Sequence, residues 1–163
     1  MKVFSNYAHY YNLLYNDKDY KGEADYVDKL MQKYNPGARS ILNLGCGTGN
    51  HDSHFSKKGY TVTGVDISEE MLIQARDKMK KFKYAKSNPS FSKGDIRELR
   101  LKQKFDTVVS LFHVASYMNT NKDVLNFLET ARFHLKEKRI FIFDFWYGPA
   151  VLANMPSVRI KRF

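Results

Sequence analysis

The sequence predicts one α/β domain with a doubly wound, mainly parallel sheet and helices on both of its faces. Two observations predict this fold class: short β-rich runs alternate with helical stripes, and the first strand ends in a glycine-rich loop. Alternating elements of this kind give parallel strands joined by helical crossovers. A length of 163 residues fits one domain of that class.

The first half of the chain holds two predicted helices, each followed by a strand. Apolar residues at helical spacing predict a helix over residues 22–34, which the Asn-Pro-Gly run at 35–37 ends. A short apolar strand follows over 40–44, then a helix over 50–58 and a β-branched strand over 60–65.

The second half continues the alternation. Ser68 is a good N-cap for the next helix, whose predicted buried positions are Met71, Ala75, Met79 and Phe82. Strands are predicted over 90–93, 105–111 and 140–143. A helix over 121–135 separates the last two strands, and its predicted buried positions are Val124, Leu128, Ala131 and Leu135.

The composition excludes several classes of protein. Mean hydropathy is −0.53, and no apolar run approaches the roughly 18 residues of a membrane span. The single cysteine excludes an internal disulfide and a multi-cysteine zinc site, and no residue spacing predicts a metal. The first twenty residues are polar and tyrosine-rich rather than signal-like, so we expect a cytoplasmic protein.

The net charge of +10 leaves nucleic acid open as a partner. The lysines are scattered, however, and their densest run falls at a helix end, where cations suit the helix dipole: Lys78, Lys80, Lys81, Lys83 and Lys86. We therefore interpret that run as a solvated helix end and expect a small-molecule partner.

Five segments follow the predicted strands and should meet at one rim of the sheet. They are residues 45–49, 66, 94–95, 110–117 and 144–147. The glycine loop at 45–49 has G-x-G-x-G spacing, whereas the dinucleotide fingerprint is G-x-G-x-x-G, whose last position here is Asn50. A dehydrogenase is thus the poorest fit.

Two aspartates accompany the glycine loop. Asp66 ends the second strand, where a carboxylate can accept both hydroxyls of an adenosine ribose. Asp95 ends the third strand and can accept a hydrogen bond from an adenine amino group. Taken singly, Asp66 can merely precede the Ser68 cap and Asp95 can merely close a turn. Together with the loop, they predict an adenosine pocket.

At these motifs the sequence resembles class I S-adenosylmethionine-dependent methyltransferases. The matching pieces are ILNLGCGTG, VTGVDIS with EEMLIQAR, FSKGDIREL, FDTVVSLFHVASYM and FLETARFHLKEKRIFIFDFW. The resemblance implies a Rossmann-like fold, S-adenosylmethionine as cofactor and S-adenosylhomocysteine as product. The cofactor-binding residues that it implies are Asn43, Gly45, Cys46, Gly47, Gly49, Asp66, Ile67, Met71, Asp95, Ile96 and Leu111.

A closer likeness is to methyltransferases that act on the amino group of nucleotide-linked sugars. It rests on YNLL with KDY near residues 11–20, GNHDSHF at 49–55 and FWYGP at 145–149. It implies that residues 1–20 form an aromatic lid over a domain spanning 21–163. Tyr11 and Tyr20 would then contact the cofactor and Tyr15 the acceptor. A docked amphipathic helix is the alternative for this segment.

The segments after strands four and five supply the candidate acceptor site. An amine acceptor must lose a proton, and His113 is the candidate base. Tyr117 is a second candidate catalytic residue, and Trp146 with Tyr147 would wall the acceptor pocket. Simple packing beside the cofactor or under a loop is the alternative for these residues. No D/N-P-P-Y/F sequence follows strand four, which counts against methylation of base amino groups.

The sequence departs from the family in three places. Asn43 stands where an acidic residue is usual, so we expect Asn43→Asp to tighten cofactor binding. Residues 136–139 replace the usual turn before strand five, which should have only a structural consequence. Five strands are predicted where the family has seven in the order three-two-one-four-five-seven-six, so strands six and seven are missing.

The missing strands affect both assembly and function. The apolar strand at 140–143 would lie at an open edge. We therefore expect either a fragment of a longer protein, which is the favoured interpretation, or a homodimer in which a second copy covers that edge, and residues 158–163 could begin a further strand. The leading hypothesis is methyl transfer to a small molecule, with a nucleotide-linked amino sugar favoured. An RNA methyltransferase and a non-catalytic cofactor-binding remnant are the alternatives.

Overall fold

The computed structural model of the chain describes residue 11, residues 13–80 and residues 88–154. Five strands, five α-helices and one 3₁₀ turn lie within these residues. In chain order they are α1 (Tyr20–Tyr34), β1 (Ser40–Leu44), α2 (Asn50–Lys57), β2 (Thr61–Asp66), α3 (Glu69–Lys80), β3 (Ser90–Lys93), β4 (Phe105–Ser110), the 3₁₀ turn Val114–Tyr117, α4 (Asn121–His134), β5 (Leu135–Phe143) and α5 (Gly148–Ala153).

The strands form one sheet in the order β3-β2-β1-β4-β5, and every neighbouring pair is parallel. The predicted α/β fold with a parallel, doubly wound sheet is therefore confirmed. The strand order reverses between β1 and β4, so a crevice opens beyond the carboxyl ends of these two strands. Ligands of doubly wound sheets bind in such a crevice.

Helices cover both faces of the sheet. On one face, Ala24, Val27 and Met31 of α1 pack with Phe55 of α2 and with Ile41 of β1. On the other face, Phe127 and Ala131 of α4 pack against apolar residues of β1 and β4, namely Leu42, Leu44, Phe105 and Val108. Burial of these side chains holds the strand ends, and hence the candidate site, in fixed positions.

The helix α4 buries Ala131 as predicted, but its buried face is rotated away from two other predicted positions. Val124 and Leu128 are 40% and 39% exposed, and the buried residues are Phe127, Thr130, Ala131 and His134. The backbone amide of Leu101 donates to Nε2 of His134 over 2.8 Å, and Arg100 donates to Oγ1 of Thr130 over 2.9 Å. Because these polar side chains are satisfied, burying them costs little.

Strand β5 begins five residues earlier than predicted. Phe105 pairs with Leu135, the register then shifts, and Thr107 pairs with Ile140. Lys138 has a φ of +55° within this irregular stretch. Residues 136–139, predicted as a turn, therefore form a bulge inside the strand. β5 lies at the edge of the sheet, and Phe143 at its end is 40% exposed.

Several sequence predictions lie outside the described residues. They concern residues 1–10 and 12 of the expected aromatic lid, Phe82, the lysines at 81, 83 and 86, and the further strand over 158–163. Among the helices that the structure describes, none is long and apolar enough to cross a membrane.

Candidate cofactor and acceptor site

The glycine loop connects β1 to α2 and is tied to the neighbouring strand. The backbone amides of Gly45 and Cys46 donate to the carbonyl oxygen of Val65 over 2.8 and 3.0 Å. At Gly45 (φ +80°) a Cβ atom would lie 2.6 Å from the Val114 side chain, so this turn excludes larger residues. At Gly47 (φ +54°) a Cβ atom would meet nothing within 4 Å, which leaves an open cradle above the loop.

The Asp66 carboxylate lies against this cradle. Its Oδ2 accepts a hydrogen bond from the amide of Gly47 over 2.8 Å, and its Oδ1 accepts one from the amide of Ser68 over 2.9 Å. Burial raises the pKa of Asp66, and the backbone donors oppose that rise. Each oxygen keeps a further lone pair, so the arrangement fits a ligand that presents two neighbouring hydroxyls.

A buried polar cluster lies beneath the loop, formed by Asn43, Asp52 and Lys78. The Asn43 amide donates to Oδ2 of Asp52 over 2.8 Å. Oδ1 of Asn43 and Oδ1 of Asp52 are buried without a hydrogen-bond partner among the described residues. Lys78 donates to the carbonyl oxygen of Thr48 over 3.0 Å. Burial raises the pKa of Asp52 to about 6 and lowers the pKa of Lys78 to about 8.

This cluster changes two interpretations made from the sequence. Lys78 does not belong to a solvated helix end, because its ammonium group is turned onto the glycine loop. An aspartate in place of Asn43 would bring a second carboxylate against Asp52, so its expected benefit for cofactor binding loses its geometric basis. The sequence analysis missed Asp52, and its only signal was an acidic residue in the first turn after the glycines.

The predicted adenine-binding residues are placed unevenly. The Asp95 carboxylate is held by Arg97, whose Nε and terminal nitrogen donate over 2.9 and 2.6 Å. The side-chain hydrogen bond from Arg97 lowers the pKa of Asp95. Ile67 is 51% exposed beside the site, whereas three other predicted contacts are buried in the protein: Met71, Ile96 and Leu111. An adenine amino group would have to share Asp95 with Arg97.

Phe112, just beyond β4, is the centre of an aromatic cluster. Its ring centroid lies 5.0 Å from that of Tyr15 and 6.3 Å from those of Tyr11 and Tyr20. The Tyr11 and Tyr15 rings also contact each other at 5.0 Å. The three predicted tyrosines therefore come together on Phe112, a residue that the sequence analysis had placed at the rim, within segment 110–117, without predicting this contact.

An ion-pair chain fixes the start of α1 to α2. The Lys18 ammonium lies 4.3 Å from the centroid of Phe112 and pairs with Glu23. Glu23 also contacts Nε2 of His51 over 2.8 Å. The hydrogen bond from His51, with help from Lys18, lowers the pKa of Glu23 to about 2 against the opposing effect of burial. The aromatic cluster thus already accommodates a cation.

A cleft of about 370 Å³ opens at the surface between His113 and α5. His113, Trp146 and Tyr147 line it, together with Phe145, Ala150, Val151 and Asn154. The imidazole of His113 meets the edge of the Trp146 ring at 5.5 Å, and its Nδ1 is buried with no partner among the described residues. Tyr117 is 62% exposed and lies outside this lining.

Comparison with known families gives one match over the middle of the chain. The sequence profile of a family described as "Methyltransferase domain" matches residues 41–138. The matched segment contains the glycine loop, Asp66, Asp95 and His113.

Two similar proteins of known or assigned type come from bacteria. A dTDP-3-amino-3,4,6-trideoxy-alpha-D-glucopyranose N,N-dimethyltransferase of Streptomyces venezuelae is 31% identical over 91% of this chain and 61% of its own length. A putative methyltransferase of Bacillus subtilis is 32% identical over 87% of this chain and 55% of its own length. The chain thus spans between half and two thirds of the length of these relatives.

Solved structures agree with this relationship. DesVI from Streptomyces venezuelae has a TM-score of 0.78 at 31% identity, over 88% of this chain and 59% of its own. CalS10 is an amino pentose methyltransferase from Micromonospora echinaspora that was solved with S-adenosylmethionine bound. It has a TM-score of 0.77 at 25% identity, over 86% of this chain and 57% of its own.

Proposed function

The chain belongs to the family of methyltransferase domains, and from that membership we propose that it methylates the amino group of a nucleotide-linked sugar, with S-adenosylmethionine as cofactor. The observation that carries the proposal is the meeting of a ribose-type pocket and an aromatic cleft at one rim of the sheet. When bound, this cofactor supplies a methyl group activated by a sulfonium centre. Similarity to enzymes for amino sugars supports the choice of acceptor.

The glycine loop and Asp66 would hold the adenosine part of the cofactor. Gly47 leaves room for close approach of a ligand to the backbone, and Asp66, which already accepts a hydrogen bond from the Gly47 amide, would accept further ones from the ribose hydroxyls. The free amides at the start of α2 add further donors. Other contacts in this proposal come from Cys46, Gly49, Ile67, Met71, Asp95, Ile96 and Leu111.

Residues 1–20 would form a lid over the domain that spans residues 21–163. The Tyr11, Tyr15 and Tyr20 rings contact Phe112 next to the site and would exclude water from it. Aromatic faces also attract cations, and the Lys18 ammonium is already positioned over Phe112. A sulfonium or an ammonium ligand would have to use a face of the aromatic cluster that Lys18 does not occupy.

His113 would accept the proton that the acceptor amine loses. Its Nδ1 has no hydrogen-bond partner among the described residues and belongs to a side chain that lines the cleft. Trp146 and Tyr147 offer flat apolar faces on which a sugar ring can lie. Holding the acceptor and the methyl donor in line can lower the activation barrier by on the order of 7–11 kcal/mol. We expect this alignment to be the main source of the rate at such a site.

Calorimetric titration of this chain with S-adenosylmethionine, and separately with NAD, tests the cofactor assignment. We expect binding of the first alone, weakened at least about 100-fold, or about 2.7 kcal/mol, in Asp66→Ala. Glu129→Gln is the control, because it neutralises an exposed carboxylate paired with Arg132 on α4. Failure of the folded chain to bind S-adenosylmethionine would contradict the proposal.

Methyl transfer to a panel of dTDP-amino sugars and to RNA then separates the candidate acceptors. The net charge of +10 favours RNA as a second candidate. Transfer to RNA, with affinity that falls steeply as salt rises, would replace the sugar proposal. Tight cofactor binding without turnover on either class would indicate a non-catalytic module.

Among the described residues no strand pairs with the outer edge of β5, and this motivates a proposal about assembly. Lys136 and Lys138 keep the first half of that edge polar, but Phe143 and Phe145 beyond it are 40% and 59% exposed. A second copy of the chain would cover this apolar half in a homodimer. The proposed location is the cytoplasm, where the cofactor is available. Light scattering after size-exclusion chromatography tests it, and a monomer at high protein concentration would contradict it.

A further inference from the structure

Two consecutive bulky residues leave β4 in the left-handed backbone region. Phe112 has a φ of +65° and His113 a φ of +62°. Bulky residues such as phenylalanine rarely adopt this conformation, histidine does so somewhat more often, and each non-glycine residue in it costs on the order of 1–3 kcal/mol. Something in the surrounding structure must therefore stabilise the turn.

The carboxylate of Asp144, directly after β5, supplies that stabilisation. Its Oδ2 accepts a hydrogen bond from the amide of Phe112 over 3.0 Å, and its Oδ1 accepts one from the amide of His113 over 2.6 Å. Successive backbone amides of a turn can point into one concavity that suits an anion, and the two amides here both donate to the one carboxylate. Hydrogen bonds to a charged acceptor are also stronger than neutral ones.

A second contact ties the same two loops together. The amide of Trp146 donates to Oγ of Ser116 over 3.0 Å. The amide of Asp144 itself donates to the carbonyl oxygen of Ser110, the last residue of β4, over 3.3 Å. The carboxylate is thus anchored relative to β4 on one side and to the cleft wall on the other.

We propose that Asp144 is a positioning residue: its carboxylate holds the Phe112–His113 turn in the left-handed form and so orients both rings that flank the reaction site. Phe112 then faces the tyrosines of the N-terminal segment, and His113 faces Trp146 across the acceptor cleft. The role of His113 toward an acceptor rests on the proposed function, whereas the hold on the turn does not.

A double-mutant cycle on stability tests the hold on the turn. Asp144→Asn leaves one oxygen as acceptor but turns an amide donor toward the second N–H. We expect it to raise the unfolding equilibrium constant less than threefold in the native sequence, because the turn then leaves its strained form and recovers part of the loss. In a Phe112→Gly background, where a positive φ has no steric cost at that residue and no strain is recovered, we expect at least tenfold. Equal effects in both backgrounds would overturn the proposal.

Enzyme kinetics test the consequence for the site. We expect Asp144→Asn to lower kcat at least 30-fold while the Kd for S-adenosylmethionine stays within threefold. Glu129→Gln also replaces a carboxylate with an amide, but on the surface of α4. It should leave both kcat and the Kd for S-adenosylmethionine unchanged. A variant that keeps kcat within twofold, or that loses cofactor affinity in parallel with kcat, would overturn the positioning role.

The two measurements also separate this inference from the proposed function. If the native chain binds no S-adenosylmethionine, the proposed function fails, and the stability cycle still decides whether Asp144 holds the turn. If the chain binds and turns over but the cycle shows no coupling, only the inference about Asp144 fails.

Discussion

The two rims of the sheet use polar side chains in opposite ways. At the amino ends of the strands, the buried carboxylate of Asp106 accepts hydrogen bonds from the amides of Arg39 and Ser40 over 2.9 and 3.0 Å. It also accepts one from the Ser40 hydroxyl over 3.0 Å and pairs with Lys136 over 2.9 Å. Both of its oxygens are engaged, and the group contributes to folding.

At the carboxyl ends of the strands, several buried polar groups keep hydrogen-bonding atoms that no described residue uses. Buried atoms of Asn43, Asp52 and His113 have no partner among the described residues, and the left-handed turn at Phe112 and His113 is held under strain. Unsatisfied groups and strained backbone both cost stability, and they concentrate at functional sites. The comparison indicates that the polar groups at the amino ends of the strands stabilise the fold, whereas those at the carboxyl ends remain available to bind a ligand.

Removing the Asp106 carboxylate, at the amino ends of the strands, should have the largest effect on stability. We expect Asp106→Ala to lower the free energy of unfolding by about 4 kcal/mol, because several buried donors lose their acceptor. Urea denaturation measures this, and cofactor affinity of the folded variant should stay within twofold. A loss below about 1 kcal/mol would remove the distinction between the rims.

The same carboxylate should give the native chain a specific acid sensitivity. Burial alone would raise the pKa of Asp106, but the hydrogen bonds from Lys136, Arg39 and Ser40 together lower it. A lowered pKa in the folded state means that the stabilisation is present above about pH 4 and is lost as pH falls further.

Asn43→Asp tests the polar cluster at the carboxyl ends of the strands, where the ligand would bind. Two buried carboxylates would face each other there, and one of them must stay protonated. We expect the free energy of unfolding to fall by about 3 kcal/mol at pH 7 and to recover in part at pH 5. Asn43→Ser, which removes the amide without adding a charge, is the control. Unchanged stability with tighter cofactor binding would instead support the expectation drawn from the sequence.

Asp52→Asn should stabilise the protein at neutral pH. The pKa of Asp52 is raised to about 6 by burial, so its contribution to stability is present below about pH 4 and lost as pH rises through 6. The asparagine keeps an acceptor for the Asn43 amide and carries no such penalty. We expect a gain of about 2 kcal/mol at pH 7 and none at pH 4. Parallel pH profiles of stability in the two proteins would refute this.

Trp146→Ala should give the smallest effect and should act on the acceptor alone. The side chain is 53% exposed, so folding should change little. We expect the KM for an amino-sugar acceptor to rise about tenfold, or about 1.4 kcal/mol, with the cofactor Kd unchanged. A matched change in cofactor affinity would show that the cleft and the ribose pocket are not separate.

The sequence predicted those parts of the molecule that depend on local pattern. The strands, the glycine loop and the position of Asp66 all follow from short runs of residues with a strong preference for one structure. The buried face of α4 was predicted wrongly because apolar spacing favoured Val124 and Leu128. Long-range hydrogen bonds to Thr130 and His134 decided the rotation of that helix instead.

The missed residues of the site share a different cause. Phe112 became important only through three tyrosines about 90 to 100 positions earlier in the chain. Asp144 acts on amides 31 and 32 positions away. Its one available signal was an acidic residue at the end of a strand, and the sequence analysis had counted its segment among those at the rim.

The buried loop cysteine has a practical consequence for studying this chain by fluorescence. Cys46 is the only cysteine of the sequence, its side chain is 7% exposed, and burial raises the pKa of its thiol well above the usual range. Thiol-reactive dyes attack the thiolate, so the folded native chain should stay unlabelled. A cysteine introduced at exposed Leu13 would then carry the only dye, and the distance from Trp146 to that dye would follow the tyrosine segment without any change to the glycine loop.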